Sequence, residues 1–160
     1  MAYLGVGQIA LLVDDFDAAV KDFHEVFGID FVLIEHPQLR QRIAISDGGI
    51  VLTSKIDPND TSPIESNWTG RLTAIELKVT DIEETRKAME DRGAKTMYYL
   101  DTPPGSLKEY YMYSEGFHGI PLTIFQNDTE SWLESMGGDD RTVDQSDEAP
   151  GGIQWINQPT

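Results

Sequence analysis

One pattern is written twice in this chain, and it limits the available folds more than any other feature. Gly7 to Gly28 reads GQIALLVDDFDAAVKDFHEVFG. It opens on a short apolar run, Ile9 to Val13, closed by Asp14 and Asp15. Phe16, Ala19, Val20, Phe23, Val26 and Phe27 then recur at spacings of three and four, which places them on one stripe of a helix. Asp14 or Asp15 supplies the cap, because a short carboxylate accepts from the orphan N–H groups of a first turn. Gly28 supplies the stop, where a left-handed residue costs glycine nothing. About 66 residues later the pattern returns: a strand-like run Leu72–Val79, Asp81 as cap, helix from Ile82 to Asp91, and Gly93 as stop. A repeat of that length means two copies of one supersecondary unit. Each copy is too small to bury a sizeable core alone, so the two must pack together, within or between chains.

Strand signals complete each copy. In the first, Asp30–Glu35, Arg40–Ser46 and Ile50–Lys55 are short strand-like runs, with His36-Pro37 and the hairpin signal Asp47-Gly48-Gly49 between them. In the second, Lys95–Asp101, Leu107–Ser114 and Ile120–Gln126 follow the helix. Each copy therefore reads β-α-β-β-β, giving an α+β chain. Its parts are a first module over 1–56, a breaker-rich linker over 57–70, a second module over 71–126 and an acidic extension over 127–160.

The charge balance excludes whole classes of partner. A formal net charge of −16 leaves no basic surface for nucleic acid or anionic membranes. It favours cationic ligands, or serves only solubility. No apolar run is long enough for a membrane helix and no signal-like start is present. Zero cysteines removes disulfides and thiolate metal sites, which fits a cytoplasmic protein.

Two β-α-β-β-β copies, with QIALLVDDFDAAVKDFHEVFG in the first and GFHGIPLTIFQ closing the second, resemble the vicinal oxygen chelate superfamily. That superfamily includes glyoxalase I, extradiol dioxygenases, fosfomycin-modifying enzymes and bleomycin-resistance proteins. The resemblance covers about residues 5–126. It implies a U-shaped sheet around a cavity, formed within one chain or between swapped halves of a homodimer. In metal-dependent members four strand positions hold the ion. Here those positions fall on Gln8, Val51, Ala74 and Thr123. Only the amide of Gln8 could ligate, and divalent ions in such sites want imidazole nitrogen or carboxylate oxygen. No metal and no other cofactor is expected.

The remaining candidates are polar groups on the cavity face. Glu76 lies two residues after Ala74, so strand alternation turns it the same way. Burial there raises a carboxyl pKa and suits it to general acid–base work. Otherwise Glu76 holds a cation, or pairs with Arg42 or Arg71. Gln8 either contacts a ligand oxygen or ties down a neighbouring strand. Tyr111 and Tyr113 share one face of their strand, near Tyr98 and Tyr99, and offer flat apolar contact with a hydrogen-bonding tip. His36 at a strand end and His118 in the turn before the last strand are acid–base candidates. His24 falls where the superfamily often has an aromatic helix residue and is read as packing.

In the extension, Thr129–Met136 has helical spacing, and Gly137–Gly152 is acidic and rich in breakers. The closing Ile153-Gln154-Trp155-Ile156 is expected to dock, over the cavity or across a dimer interface. The candidate residues are then Glu76, Tyr111, His36 and His118 for chemistry, and Gln8, Arg42, Val51, Tyr113, Thr123 and Trp155 for ligand contact. Two functions are expected. The first is metal-independent binding of an aromatic or cationic natural product, as in the antibiotic-sequestering bleomycin-resistance branch. The second is a metal-independent lyase or isomerase in which Glu76 works with a Tyr or His.

Overall fold

The computed structural model describes residues 2–102, 107–127, 142–144 and 153–160. The segment with helical spacing, Thr129–Met136, lies outside them. The first copy comprises strand β1 (Tyr3–Leu12), helix α1 (Phe16–Phe27) and strands β2 (Val32–His36), β3 (Gln41–Ile45) and β4 (Ile50–Lys55). The second comprises β5 (Leu72–Val79), α2 (Ile82–Glu90), β6 (Thr96–Thr102), β7 (Leu107–Met112) and β8 (Leu122–Asn127). Two short strands follow, β9 (Thr142–Asp144) and β10 (Gln154–Trp155).

Both helices begin at the expected aspartate caps and α1 ends at its expected glycine, whereas α2 stops at Glu90 with Asp91, in the right-handed region, as its C-cap. The Asp15 carboxylate accepts from the Ala18 N–H at 3.1 Å, and the Asp81 carboxylate from the Glu84 N–H at 2.9 Å. Gly28 adopts φ 69° and donates its N–H to the His24 carbonyl at 2.8 Å, closing α1. Among the described residues, no helix is long and apolar enough to cross a membrane.

The strands form one mixed sheet in the order β10-β6-β7-β8-β5-β1-β4-β3-β2-β9. Its centre is the antiparallel pair β1–β5, with Gln8 opposite Glu76 and Ala10 opposite Ala74. On either side lies a parallel pair, β1–β4 and β5–β8, so the two copies are related across the centre. The sheet curls into a half-barrel, and both copies close it within one chain. The helices cover its convex side. On α1, Phe16 packs with Phe31, Ala44 and Leu52, and on α2, Ile82 and Met89 pack with Val79, Tyr110, Met112 and Ile124. A third apolar cluster, including Ile34, Ile45, Val51, Tyr111 and Phe125, fills the concave side.

Strand β1 starts at Tyr3, earlier than its apolar run at Ile9 suggests. The glycines that hide this start are required by the fold. Gly5 sits at a register shift with φ 128°, and a Cβ on Gly7 would lie 2.3 Å from the Phe125 ring. The segment between the copies is also packed. It carries a single 3-10 turn, Glu65–Asn67, in which Asn67 donates to the Met112 carbonyl and accepts from the Ser114 N–H.

Candidate functional site

Strand alternation turns one row of side chains from each strand into the half-barrel. They enclose a cavity of about 90 Å³. A single water needs about 10–15 Å³ of such space, so the cavity has room for a compact molecule. Apolar walls come from Ala10, Ile34, Ile43, Ile45, Val51 and Leu107, among others. The polar lining is uneven. On the first copy's arm stand His36, Gln41 and Thr53, and on the second copy's arm stand Tyr98, Glu109 and Tyr111, with Gln8, Glu76 and Thr123 across the floor.

The register sets the geometry of that floor. Glu76 lies between Gln8 on β1 and Thr123 on β8, and Thr123 in turn lies beside Tyr111 on β7. Glu109 precedes Tyr111 by two residues on the same face, diagonal to Glu76. Two of these groups are held by the scaffold. The Gln8 amide donates to the Ser46 carbonyl at 2.7 Å, and the Tyr111 hydroxyl to the Thr73 carbonyl at 2.7 Å. The two carboxyls are not held in this way. Glu76 Oε2 is covered and meets no hydrogen-bond partner among the described residues. Glu76 keeps some accessible surface, and it lines the cavity. Glu109 is only 9% exposed.

Two carboxyls in one apolar enclosure cannot both ionise cheaply. Burial pushes Glu76 well above the ordinary carboxylate range, and the neighbouring Glu109 pushes it further. Burial raises Glu109 to about 7. The Tyr98 hydroxyl is raised by burial and then by Glu109, Tyr111 and Glu76, so it stays a neutral donor. Near neutral pH the pair thus passes from holding two protons to holding one, and the singly protonated pair offers an acid and a base together.

The cavity gathers six of the sequence-predicted residues: Gln8, His36, Val51, Glu76, Tyr111 and Thr123. Four others lie elsewhere. Arg42 alternates with the cavity-lining Ile43 and so points to the convex side. There its guanidinium stacks on Phe16 at 4.4 Å and pairs with Asp17 at 3.1 Å. Arg71 pairs with Asp14 at 2.8 Å, so neither arginine neutralises Glu76. Tyr113 falls beyond the end of β7 and donates to the Asn157 carbonyl at 2.6 Å. His118 is exposed in the turn before β8, with φ 60° and its ring against Phe117. Trp155 pairs with Tyr98 across β10 and β6 and packs edge-on to it at 5.8 Å. It is the neighbouring Ile153 that borders the cavity, clasped at both backbone groups by the Gln38 amide.

Glu109 is the cavity-lining carboxyl that the sequence reading missed. Its signal was present: it is two residues before Tyr111, on the face already assigned to the cavity.

The four positions at which the resemblance implies ion ligands, Gln8, Val51, Ala74 and Thr123, all line the cavity. Two of them have no donor atom. Among the described residues no three of His, Cys, Asp or Glu come together as an ion site. The residues present do not fit the metal centre that the resemblance implies.

No family model matches the sequence, and no curated protein matches it. Solved structures do match. Methylmalonyl-CoA epimerase from Mycobacterium tuberculosis superposes with a TM-score of 0.62 at 16% identity, covering 79% of this chain and 89% of that one. A Streptomyces coelicolor methylmalonyl-CoA epimerase in complex with 2-nitronate-propionyl-CoA gives 0.63 at 15% identity, over 80% of this chain and 100% of that one. A hypothetical protein from Bacillus halodurans C-125 gives 0.60 at 11%, over 78% and 95%. At these identities the likeness shows the fold alone, a sheet curled into a half-barrel.

Proposed function

We propose that the chain is a metal-independent isomerase or lyase that moves a proton on a compact small molecule inside the half-barrel. The observation that carries this is the Glu76–Glu109 pair, buried in the cavity with no lysine or arginine among the described residues lining it. In the singly protonated pair, the carboxylate removes a proton from a carbon next to a carbonyl. The protonated carboxyl, or the Tyr98 hydroxyl, donates to the carbonyl oxygen as charge develops there. Returning a proton to carbon restores the carbonyl and isomerises the substrate. Expelling a leaving group from the enol instead makes the reaction an elimination. His36, on the opposite arm, is the candidate second acid–base group. The epimerases that share the fold support chemistry of this kind without assigning their substrate to this chain.

One observation favours the second reading, sequestration without turnover. Gln8 and Tyr111 spend their hydrogen bonds on the scaffold, as ligand-cradling groups of a passive site can. The cavity then serves as a binding pocket for an aromatic small molecule.

Deuterium exchange separates the two. Cyclohexanone and acetophenone are incubated with the protein in D2O near pH 7, and deuterium entering beside the carbonyl is followed by NMR. Proton transfer predicts exchange above background that falls about 100-fold or more in E76Q, the usual scale for losing a general acid or base. Ligand binding without exchange would favour sequestration and end the enzymatic reading.

A further inference from the structure

We infer that this cavity is built for an uncharged ligand that accepts a hydrogen bond, and that it rejects carboxylates. The inference deepens the proton-transfer reading and rests on it for the chemistry, though not for the choice of ligand.

The argument starts from where the positive charge lies. Of the 12 lysines and arginines, all but Arg141 are among the described residues, and none of those described borders the cavity. Several are committed to acidic partners on the outside. Arg42 pairs with Asp17, Lys55 with Glu65, Arg71 with Asp14, Arg86 with Glu83 and Lys87 with Asp91. A carboxylate entering the cavity would bring a third acidic group beside two that already resist ionisation, with no described lysine or arginine to meet it. An organic cation would need the pair to ionise first, in walls set by Ile34, Ile43 and Ile45.

A neutral acceptor has neither problem. Glu109 is nine-tenths buried, and no hydrogen bond from a described residue reaches its carboxyl. Glu76 Oε2 also meets no partner among the described residues. Carboxyls in their protonated form have an O–H to give, and a carbonyl or ether oxygen takes it without moving net charge into the apolar enclosure. The same logic sets this chain apart from the epimerases of its fold, whose complexes hold CoA compounds.

Benzamide, benzoate and benzamidinium have nearly one shape and three charges, and they read this preference directly. Methyl NMR spectra are recorded at pH 6 with each probe, following the cavity methyls of Ile34, Ile43 and Ile45. Benzamide should shift those methyls with millimolar or tighter affinity, and benzoate and benzamidinium should bind at least tenfold more weakly. E76Q keeps a neutral donor and should hold benzamide within about threefold, whereas E76L should lose about tenfold, the scale of one hydrogen bond. Benzoate binding as tightly as benzamide at these methyls would overturn the inference. So would benzamidinium binding more tightly, or no benzamide shift at millimolar concentration. The charge order is read without turnover. A protein that keeps this order but shows no deuterium exchange loses the proton-transfer reading alone, whereas one that exchanges yet binds benzoate loses the ligand class alone.

Discussion

At Glu76 and Glu109 two residues of the same type, on strands separated by β8, share one enclosure. Each keeps the other from ionising easily, so neither can be understood singly. Removing one charge should therefore be felt at the other. In E109Q, Glu76 loses its acidic neighbour and should titrate at lower pH than in the wild type, while burial still holds it above an ordinary glutamate. A carbon-13 titration of the glutamate carboxyls checks this, and an unchanged Glu76 would mean that the two groups do not interact. Glu76 was readable in the sequence because parity with Ala74 sends it inward. The same parity argument reaches Glu109 from Tyr111. Arg42, by contrast, could be placed only once the strand register was known, since one step along β3 exchanges cavity for convex face.

The elements obey local chemistry closely. Strand β5 runs from Leu72 to Val79 and helix α1 from Phe16 to Phe27, the limits their patterns give. For α1 the reason is that each boundary is a physical event: a carboxylate cap at one end and a left-handed glycine at the other. Asp15→Ala removes the cap on α1 and should cost about 0.5–2 kcal/mol of unfolding free energy, measured by urea denaturation. A loss below that range would show that Arg42 stacking on Phe16, not the cap, holds the first turn. Strand β1 was less legible because its early glycines look like breakers. Gly7 is there for space: Gly7→Val would drive a side chain into Phe125 and should destabilise by about 1–3 kcal/mol.

For the whole molecule, the fold class was legible because the repeat dictates two copies, and two copies of this unit close a half-barrel. What fills the half-barrel depends on side chains from eight strands meeting across the chain, which no local pattern records. The buried pair leaves a mark on global stability with a definite sign. Glu109 ionises near 4.5 when unfolded and about 7 when folded, so the folded state binds the extra proton between those values. This stabilisation is complete below about pH 4.5 and is lost as pH rises through 7. A shift of that size corresponds to roughly 3 kcal/mol. Unfolding free energy should thus fall as pH is raised from 5 to 8, and Glu76, also pushed well up by burial, adds to the decline. In E109Q the decline should flatten. A stability that rises over this range would contradict the burial of the pair.

The most direct measurement is the carbon-13 NMR titration of wild-type protein labelled at the glutamate carboxyls. Glu109 should titrate near pH 7, assigned by its absence in E109Q, and Glu76 well above the ordinary carboxylate range, assigned by its absence in E76Q. If both instead titrate at the ordinary glutamate value, the pair holds no proton at neutral pH, and the acid–base account of the cavity is wrong.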